Sequence, residues 1–287
     1  MSARPTSIRI FLADGSPEGI RIVDKSNWVG RAVVSSRAQA GQALRREELS
    51  RPGVYLLLGP GDGGAERLYV GEADILRERL KQHATRKDFW TRFVAFTSSD
   101  ESLNKAVVRY LEARLIGLAK AANQWELDNG AEPSQPPLSE ADRADAEWFL
   151  AEMLVIYRVL GIDAFEAAAA DTAASEASDE LTLSARGAEA RGREVRDGFI
   201  VLAGSRARAS ETASIHAYMR DLRAQLCERG VLVPDGAHLL FAQDYRFPSS
   251  STAAGVLVGG AANGRMAWKN RDGRTLKAIQ DARTDTA

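Results

Sequence analysis

Gly53-Val54-Tyr55-Leu56-Leu57-Leu58 and, across a turn-rich loop, Arg67-Leu68-Tyr69-Val70-Gly71 are the two stretches whose reading decides the fold. The first is apolar almost throughout, as a strand covered on both faces must be, and Pro52-Gly53 opens it. Gly59-Pro60-Gly61-Asp62-Gly63-Gly64 ends it, and the second stretch returns, so the pair reads as a hairpin with a long loop.

Working outward, residues 73–83 read as a helix with Ile75, Leu76 and Leu80 on one side. Phe89, Trp90, Phe93, Val94 and Phe96 predict a short helix running into a third strand. Residues 103–121 carry Val107, Val108, Leu111, Leu115 and Leu118 at spacings of three and four, the strongest helical signal in the chain. Upstream, residues 7–12 and 19–23 read as a hairpin and residues 37–48 as a helix. Downstream, the Pro-rich 126–138 segment connects to a helix that starts after Ser139, with Asp142 three residues on, and ends near Gly161. Residues 166–180 contain only Ala, Glu, Asp, Ser and Thr, with nothing large and apolar to bury, and read as a linker. A second domain follows, with a strand at 198–204, an amphipathic helix at 215–229 and several short strands over 231–268.

The two stretches place Tyr55 and Tyr69 on neighbouring strands. Arg79 follows Gly71 by eight residues and His83 by four more, so both share one helix face. Glu112 interrupts an otherwise apolar helix, where a carboxylate needs a partner, and Asn123 stands eleven residues beyond it. Each alone has a plainer reading: strand tyrosines pack, and a lone helix Arg or His is a solvated face. Six elements in this order and spacing are harder to explain by packing.

Over residues 53–123 the sequence resembles the GIY-YIG nuclease family, on Gly53-Val54-Tyr55, Tyr69-Val70-Gly71, Arg79, His83, Glu112 in Leu-Glu-Ala-Arg-Leu-Ile, and Asn123. Val54 and Val70 stand where the family name has Ile. The resemblance implies an α/β fold, a small three-stranded antiparallel sheet flanked by helices, and divalent-metal-dependent hydrolysis of DNA phosphodiesters. It implies Glu112 as ligand of Mg²⁺ (Mn²⁺ in its place), Arg79 as phosphate clamp and Tyr55 as general base or water-orienting group. Tyr69 would hold the water or Tyr55, His83 would assist proton transfer, and Asn123 would support the site. Glu72, directly after Gly71, reads either as a second acid near the metal or as a solvated carboxylate at a helix start, the latter being favoured. The rival class is a non-catalytic nucleic-acid-binding or regulatory protein that keeps the fold.

These readings divide the chain into an N-terminal hairpin and helix extension (1–50), the nuclease-like core (51–125), a connector and helix (126–165), an acidic Ala-rich linker (166–185) and a separate C-terminal α+β domain (186–287). The last resembles a domain of unknown function found behind GIY-YIG domains in prokaryotes. There, Ser249 to Thr252 read as the cap of a helix beginning at Ala253, with donors to offer an anion. Arg265, Lys269, Arg271, Arg274 and Lys277 surround Trp268, a cluster that fits DNA, a protein partner or plain scaffolding.

Composition fits this division. With 45% hydrophobic and 27% charged residues the 287-residue chain is neither collagen-like nor wholly disordered. No apolar run approaches the ~20 residues of a membrane span, and no secretion signal is evident, which points to the cytoplasm. Residues 1–125 hold 20 Lys and Arg against 14 Asp and Glu, residues 126–200 hold 6 against 17, and residues 201–287 hold 12 against 8. Two mildly basic ends suit a phosphate-rich partner. Cys227, the single cysteine, reads as a packing residue, and His216 and His238 lack zinc-ligand spacing. The Gly59–Gly64 loop lacks the Lys-Ser/Thr of a nucleotide loop, and Arg109 and Arg114 read as helix surface. A single-site nuclease cuts one strand, so double-strand cleavage would call for a homodimer or rebinding.

Overall fold

The computed structural model describes residues 5–61, 65–100, 102–130, 133–166, 180–195, 198–213 and 215–284. The chain is a mixed α/β protein that divides near residue 165 into two compact units, each with its own sheet and core. No helix among the described residues is long and apolar enough to cross a membrane.

In the first unit the strands are β1 (Ile8–Leu12), β2 (Arg21–Lys25), β3 (Gly30–Ser36), β4 (Gly53–Pro60), β5 (Glu66–Ala73), β6 (Arg92–Ser98) and β7 (Glu126–Leu127). The helices are α1 (Ala40–Ala43), α2 (Leu76–Arg86), α3 (Lys105–Ala122) and α4 (Glu140–Val159). The sheet order is β1-β2-β3-β6-β4-β5-β7, antiparallel except for the β5–β7 edge. The three strands expected from sequence are adjacent at its centre, in the order β6-β4-β5. The sheet nevertheless has seven strands, not three. The N-terminal hairpin is extended by β3, whose Ala32, Val33 and Val34 are buried and pair with β6 along its whole length. That strand escapes a period-two reading because its apolar run is short and continuous.

β4 carries apolar residues on both faces, and its alternation sorts them. Val54, Leu56 and Leu58 join Leu68, Val70 and the apolar stripes of α3 and α4 in one core, while Tyr55 and Leu57 join Leu76, Leu80, Trp90 and Phe93 in the other. Three further expectations change. Residues 37–48 form only short helical turns around α1, because Arg46 folds back onto Glu48 two residues on instead of supporting a helix face. No helix forms before β6; Trp90 is buried in extended chain under the Arg37 guanidinium, 4.9 Å from its ring. The connector after α3 contributes the two residues of β7.

The second unit begins earlier than expected. Residues 181–185, expected as the end of the linker, form strand β8 (Leu181–Ala185), because Leu181 and Leu183 alternate with exposed positions and bury in the core. The rest of that linker, 167–179, lies outside the described residues, as does Asp62–Gly64 of the glycine-rich loop. β9 (Ala188–Val195), β10 (Gly198–Val201), β11 (Arg206–Arg208), β12 (Leu232–Asp235), β13 (His238–Phe241) and β14 (Tyr245–Phe247) complete an antiparallel sheet in the order β12-β13-β11-β9-β10-β14, with β8 on β9. Its helices are α5 (Ala217–Glu228), α6 (Ser250–Val258), α7 (Gly264–Ala267) and α8 (Leu276–Thr284). α6 starts at Ser250, not Ala253, and the Ser249 hydroxyl caps it by accepting from the Thr252 amide at 3.1 Å. Trp268 is fully buried against Phe199, 4.4 Å between ring centres, so it belongs to the core and is not an exposed aromatic amid the basic cluster.

Candidate active site

The two glycine-tyrosine motifs meet through backbone register. Gly53 pairs with Ala73 and Tyr55 with Gly71, while Tyr69 sits one step along, opposite Leu57. The tyrosines are therefore diagonal neighbours, ring centres 6.3 Å apart, not a directly opposed pair. Their glycines are sterically required. A Cβ on Gly71 would lie 2.3 Å from the Tyr55 hydroxyl oxygen, and one on Gly53 would lie 2.0 Å from the Phe96 carbonyl oxygen. The small residue in the second motif is thus the seat of the phenol supplied by the first.

α2 then delivers two polar groups to that spot. Its apolar stripe, Leu76 and Leu80, anchors the helix on the Tyr55 face of the sheet and carries His83 inward with it. His83 Nε2 and the Tyr55 hydroxyl are 2.7 Å apart, and the imidazole lies 5.1 Å from the Tyr69 ring. Burial, together with the charges of Arg79, Lys87 and Arg86, lowers the His83 pKa to about 4, so the ring is neutral near pH 7. Its Nδ1 is buried with no hydrogen-bond partner among the described residues. Burial likewise drives the Tyr55 phenol well above its ordinary value, and Tyr69 adds to the rise while the Arg79 guanidinium opposes it.

Arg79 lies on the solvent side of the same helix. Burial pulls its pKa down, but the Tyr55 and Tyr69 hydroxyls more than offset this and the guanidinium ends above its usual value. Tyr69 is the half-exposed phenol of the pair, and the Lys87 ammonium sits 4.2 Å from the centre of its ring.

Glu112 projects from the middle of α3 toward the end of β5. Burial raises its pKa to about 7 and the Glu72 carboxylate adds to the shift; the Glu72 backbone amide, Arg79 and Arg109 act the other way. Glu72 is not simply solvated: it and Asp74 hold Lys105 Nζ at 2.9 and 3.2 Å. An open pocket of about 460 Å³ lies here, lined by Glu72, Asp74, Glu78, Arg79, Gln82 and Lys105 among others.

No group of three or more His, Cys, Asp or Glu among the described residues would hold a metal on its own. The donor set does fit a hard cation completed by water and phosphate oxygens. Mg²⁺ is commonly bound through one or two carboxylates in this way. Glu112, half-buried beside the Glu72 carboxylate and held toward its neutral form, would give up its proton to bind such an ion.

The structure therefore brings together Tyr55, Tyr69, Arg79 and His83, with Glu112 within electrostatic reach of Arg79. Asn123 ends α3 in the left-handed region (φ 46°), eleven residues and hence ~16 Å along the helix from Glu112. Sequence reasoning missed Asn129. Its side chain accepts from the Val70 amide at 2.9 Å and donates to the Val70 carbonyl at 2.8 Å, prolonging the β7 edge and fixing β5 between Tyr69 and Gly71. The Asp128-Asn129-Gly130 turn is its only local signal. Arg114 is also more than helix surface, pairing with Glu147 of α4 at 3.1 Å through Nη2.

Residues 181–280 match the model of a domain of unknown function (DUF4357), which agrees with the expectation for the C-terminal part of the chain. No curated protein and no solved structure matches the chain. The likeness over residues 53–123 rests on the residues described above.

Proposed function

We propose that the first unit is a divalent-metal-dependent DNA endonuclease of the GIY-YIG type. The observation that carries this reading is the convergence of Tyr55, Tyr69 and His83 from two strands and one helix, with Arg79 of the same helix lining the neighbouring pocket beside Glu72. Packing alone does not call for a phenol and an imidazole hydrogen-bonded to each other in the interior.

In this reading Arg79 binds the scissile phosphate through its planar donors and orients it for in-line attack. Glu112 would hold Mg²⁺ (or Mn²⁺), with Glu72 beside it, and a bound cation would supply charge neutralisation on the phosphate and leaving oxygen. Tyr69, the phenol that reaches the surface, orients the attacking water. Tyr55 lies behind it at 0% exposure with its hydroxyl on the neutral His83 Nε2, so we assign the Tyr55–His83 pair to positioning the Tyr69 ring that lies against both. This keeps for Tyr69 the water-holding role that the resemblance allows it and takes Tyr55 out of the general-base place, and burial is the reason. A fully buried phenol with a raised pKa is a poor direct base. The second unit, in this reading, brings the nuclease to its target through DNA or a protein partner.

The test is cleavage of supercoiled plasmid and methylated genomic DNA with Mg²⁺ or Mn²⁺, beside folded Glu112→Ala and Arg79→Ala proteins. Metal-dependent cutting that is lost in both variants supports the reading. The rival, a non-catalytic DNA-binding protein, draws on the burial of Tyr55 and predicts binding without cleavage, unchanged by Glu112→Ala.

A further inference from the structure

α2 carries Arg77, Arg79, Lys81 and Arg86 against a single carboxylate, Glu78. Several other cations of the first unit are matched: Arg31 by Asp24, Arg37 by Asp88, Arg46 by Glu48, Lys87 by Asp128 and Lys105 by Glu72. Arg79, Lys81 and Arg86 form no ion pair among the described residues.

These charges are not evenly spread around the helix. Arg79, Gln82 and Arg86 recur at spacings of three and four and share one exposed face, away from the buried Leu76, Leu80 and His83. Arg79 Nη1 donates to Gln82 Oε1 at 3.3 Å, so the first two members are already joined. Lys81, on the same helix, points well off this stripe, five residues from Arg86 and two from Arg79.

We infer that the Arg79–Gln82–Arg86 stripe is a track for the sugar-phosphate backbone of one DNA strand, with Arg79 at the scissile phosphate and Arg86 on a phosphate further along. The inference rests on the nuclease reading for what Arg79 touches. Seven residues of helix span ~10.5 Å. At ~3.4 Å of axial rise per nucleotide that is about three nucleotides from the cut. Such contacts set register and orientation without reading sequence.

The experiment is fluorescence anisotropy of a labelled DNA duplex with the full chain, without divalent cation, from about 50 to about 200 mM salt. Wild type, Arg86→Gln and Lys81→Gln are compared after thermal melts show that all three fold. Arg86→Gln is expected to weaken binding about 3- to 10-fold at the lowest salt and to reduce the slope of log K against log salt by about 0.9. Lys81→Gln is expected to change both by less than half as much. The track is overturned if wild type does not bind the duplex, if Arg86→Gln leaves the slope unaltered, or if Lys81→Gln matches it, since bulk charge would then explain everything. A cleavage assay on the same proteins separates the two readings. Wild type that binds with the expected slopes but never cuts with Mg²⁺ removes the nuclease and leaves the track. Cutting with an unaltered Arg86→Gln slope does the reverse.

Discussion

His83 in the first unit and Arg223 in the second are both almost fully buried, at 6% and 3% exposure, and the two units treat them in opposite ways. The Arg223 guanidinium is saturated. It donates to the carbonyls of Val256, Arg208 and Ala209 and faces Glu211 at 3.4 Å, tying α5 to α6 and to the end of β11. His83 makes one hydrogen bond, to Tyr55, and keeps Nδ1 buried without a partner among three nearby cations. An unmade hydrogen bond in a protein interior is costly, so a satisfied buried group is scaffolding and an unsatisfied one calls for an explanation in function. At these two positions the unit that matches a family model shows the first pattern, and the unit that carries the proposed chemistry shows the second.

Removal of the chemistry is the strongest way to break that contrast. Glu112→Ala and Arg79→Ala are each expected to lower the cleavage rate by at least about 10³-fold, or ~4 kcal/mol in the barrier. Their melting temperatures should stay close to wild type, because neither side chain fills the core. Retention of more than a tenth of the wild-type rate in either variant would remove that residue from the site. Arg223→Ala is the converse: about 3 kcal/mol of destabilisation from three stranded carbonyls, with no change in rate per folded molecule. Amide exchange in α6 and β11 reads that loss, and protection within 1 kcal/mol of wild type (about a factor of five) would show that the guanidinium is dispensable.

The same contrast marks what the sequence discloses. The central strands and the long helices are legible because their apolar periodicity is local, and Tyr55, Tyr69, Arg79 and His83 because fixed spacing on a strand and a helix determines facing. β3 is not legible, since a short apolar run has no period of its own and acquires its role only by pairing with β6, some sixty residues away. Asn129 is invisible for a related reason. Its function is to complete the hydrogen bonding of Val70, a backbone group that only the folded sheet leaves exposed at an edge. The roles proposed for the two tyrosines rest on burial, which neither motif encodes alone.

A sharper test uses pH, because the two perturbed groups of the first unit pull stability in opposite directions. Glu112, raised from 4.5 to about 7, binds more protons folded than unfolded across that window, so its contribution falls as pH rises from about 4.5 to 7. His83, lowered from 6.5 to about 4, binds fewer, so its contribution is lost as pH falls from about 6.5 to 4. Where the windows overlap the slopes nearly cancel in wild type. Glu112→Gln should unmask a stability that climbs between pH 4 and 6.5, and should leave the metal-free protein about 1–2 kcal/mol more stable than wild type at pH 8 after solvent screening. His83→Gln should show the opposite slope. Parallel urea-midpoint profiles for the three proteins would mean that neither group is perturbed as described.

The smallest expected effect separates a cap from a binding site. Ser139 and Ser249 each begin a helix, accepting from the amides of Asp142 and Thr252 at 3.1 Å, one in each unit. Ser→Ala at either position should cost about 1 kcal/mol, and Ser→Gly only a few tenths, because glycine lets water reach the freed amides. For Ser139 that ranking is all that is expected, with cleavage and DNA affinity unchanged. Ser249 has the additional history of a hydroxyl cluster that sequence offers as an anion contact, and capping alone accounts for its geometry. If capping is its whole role, Ser249→Gly keeps both near-native stability and wild-type DNA affinity. A Ser249→Gly protein that folds as well as wild type yet binds the duplex several-fold more weakly would place a phosphate on the second unit, and the division between a chemical unit and a saturated scaffold would no longer hold.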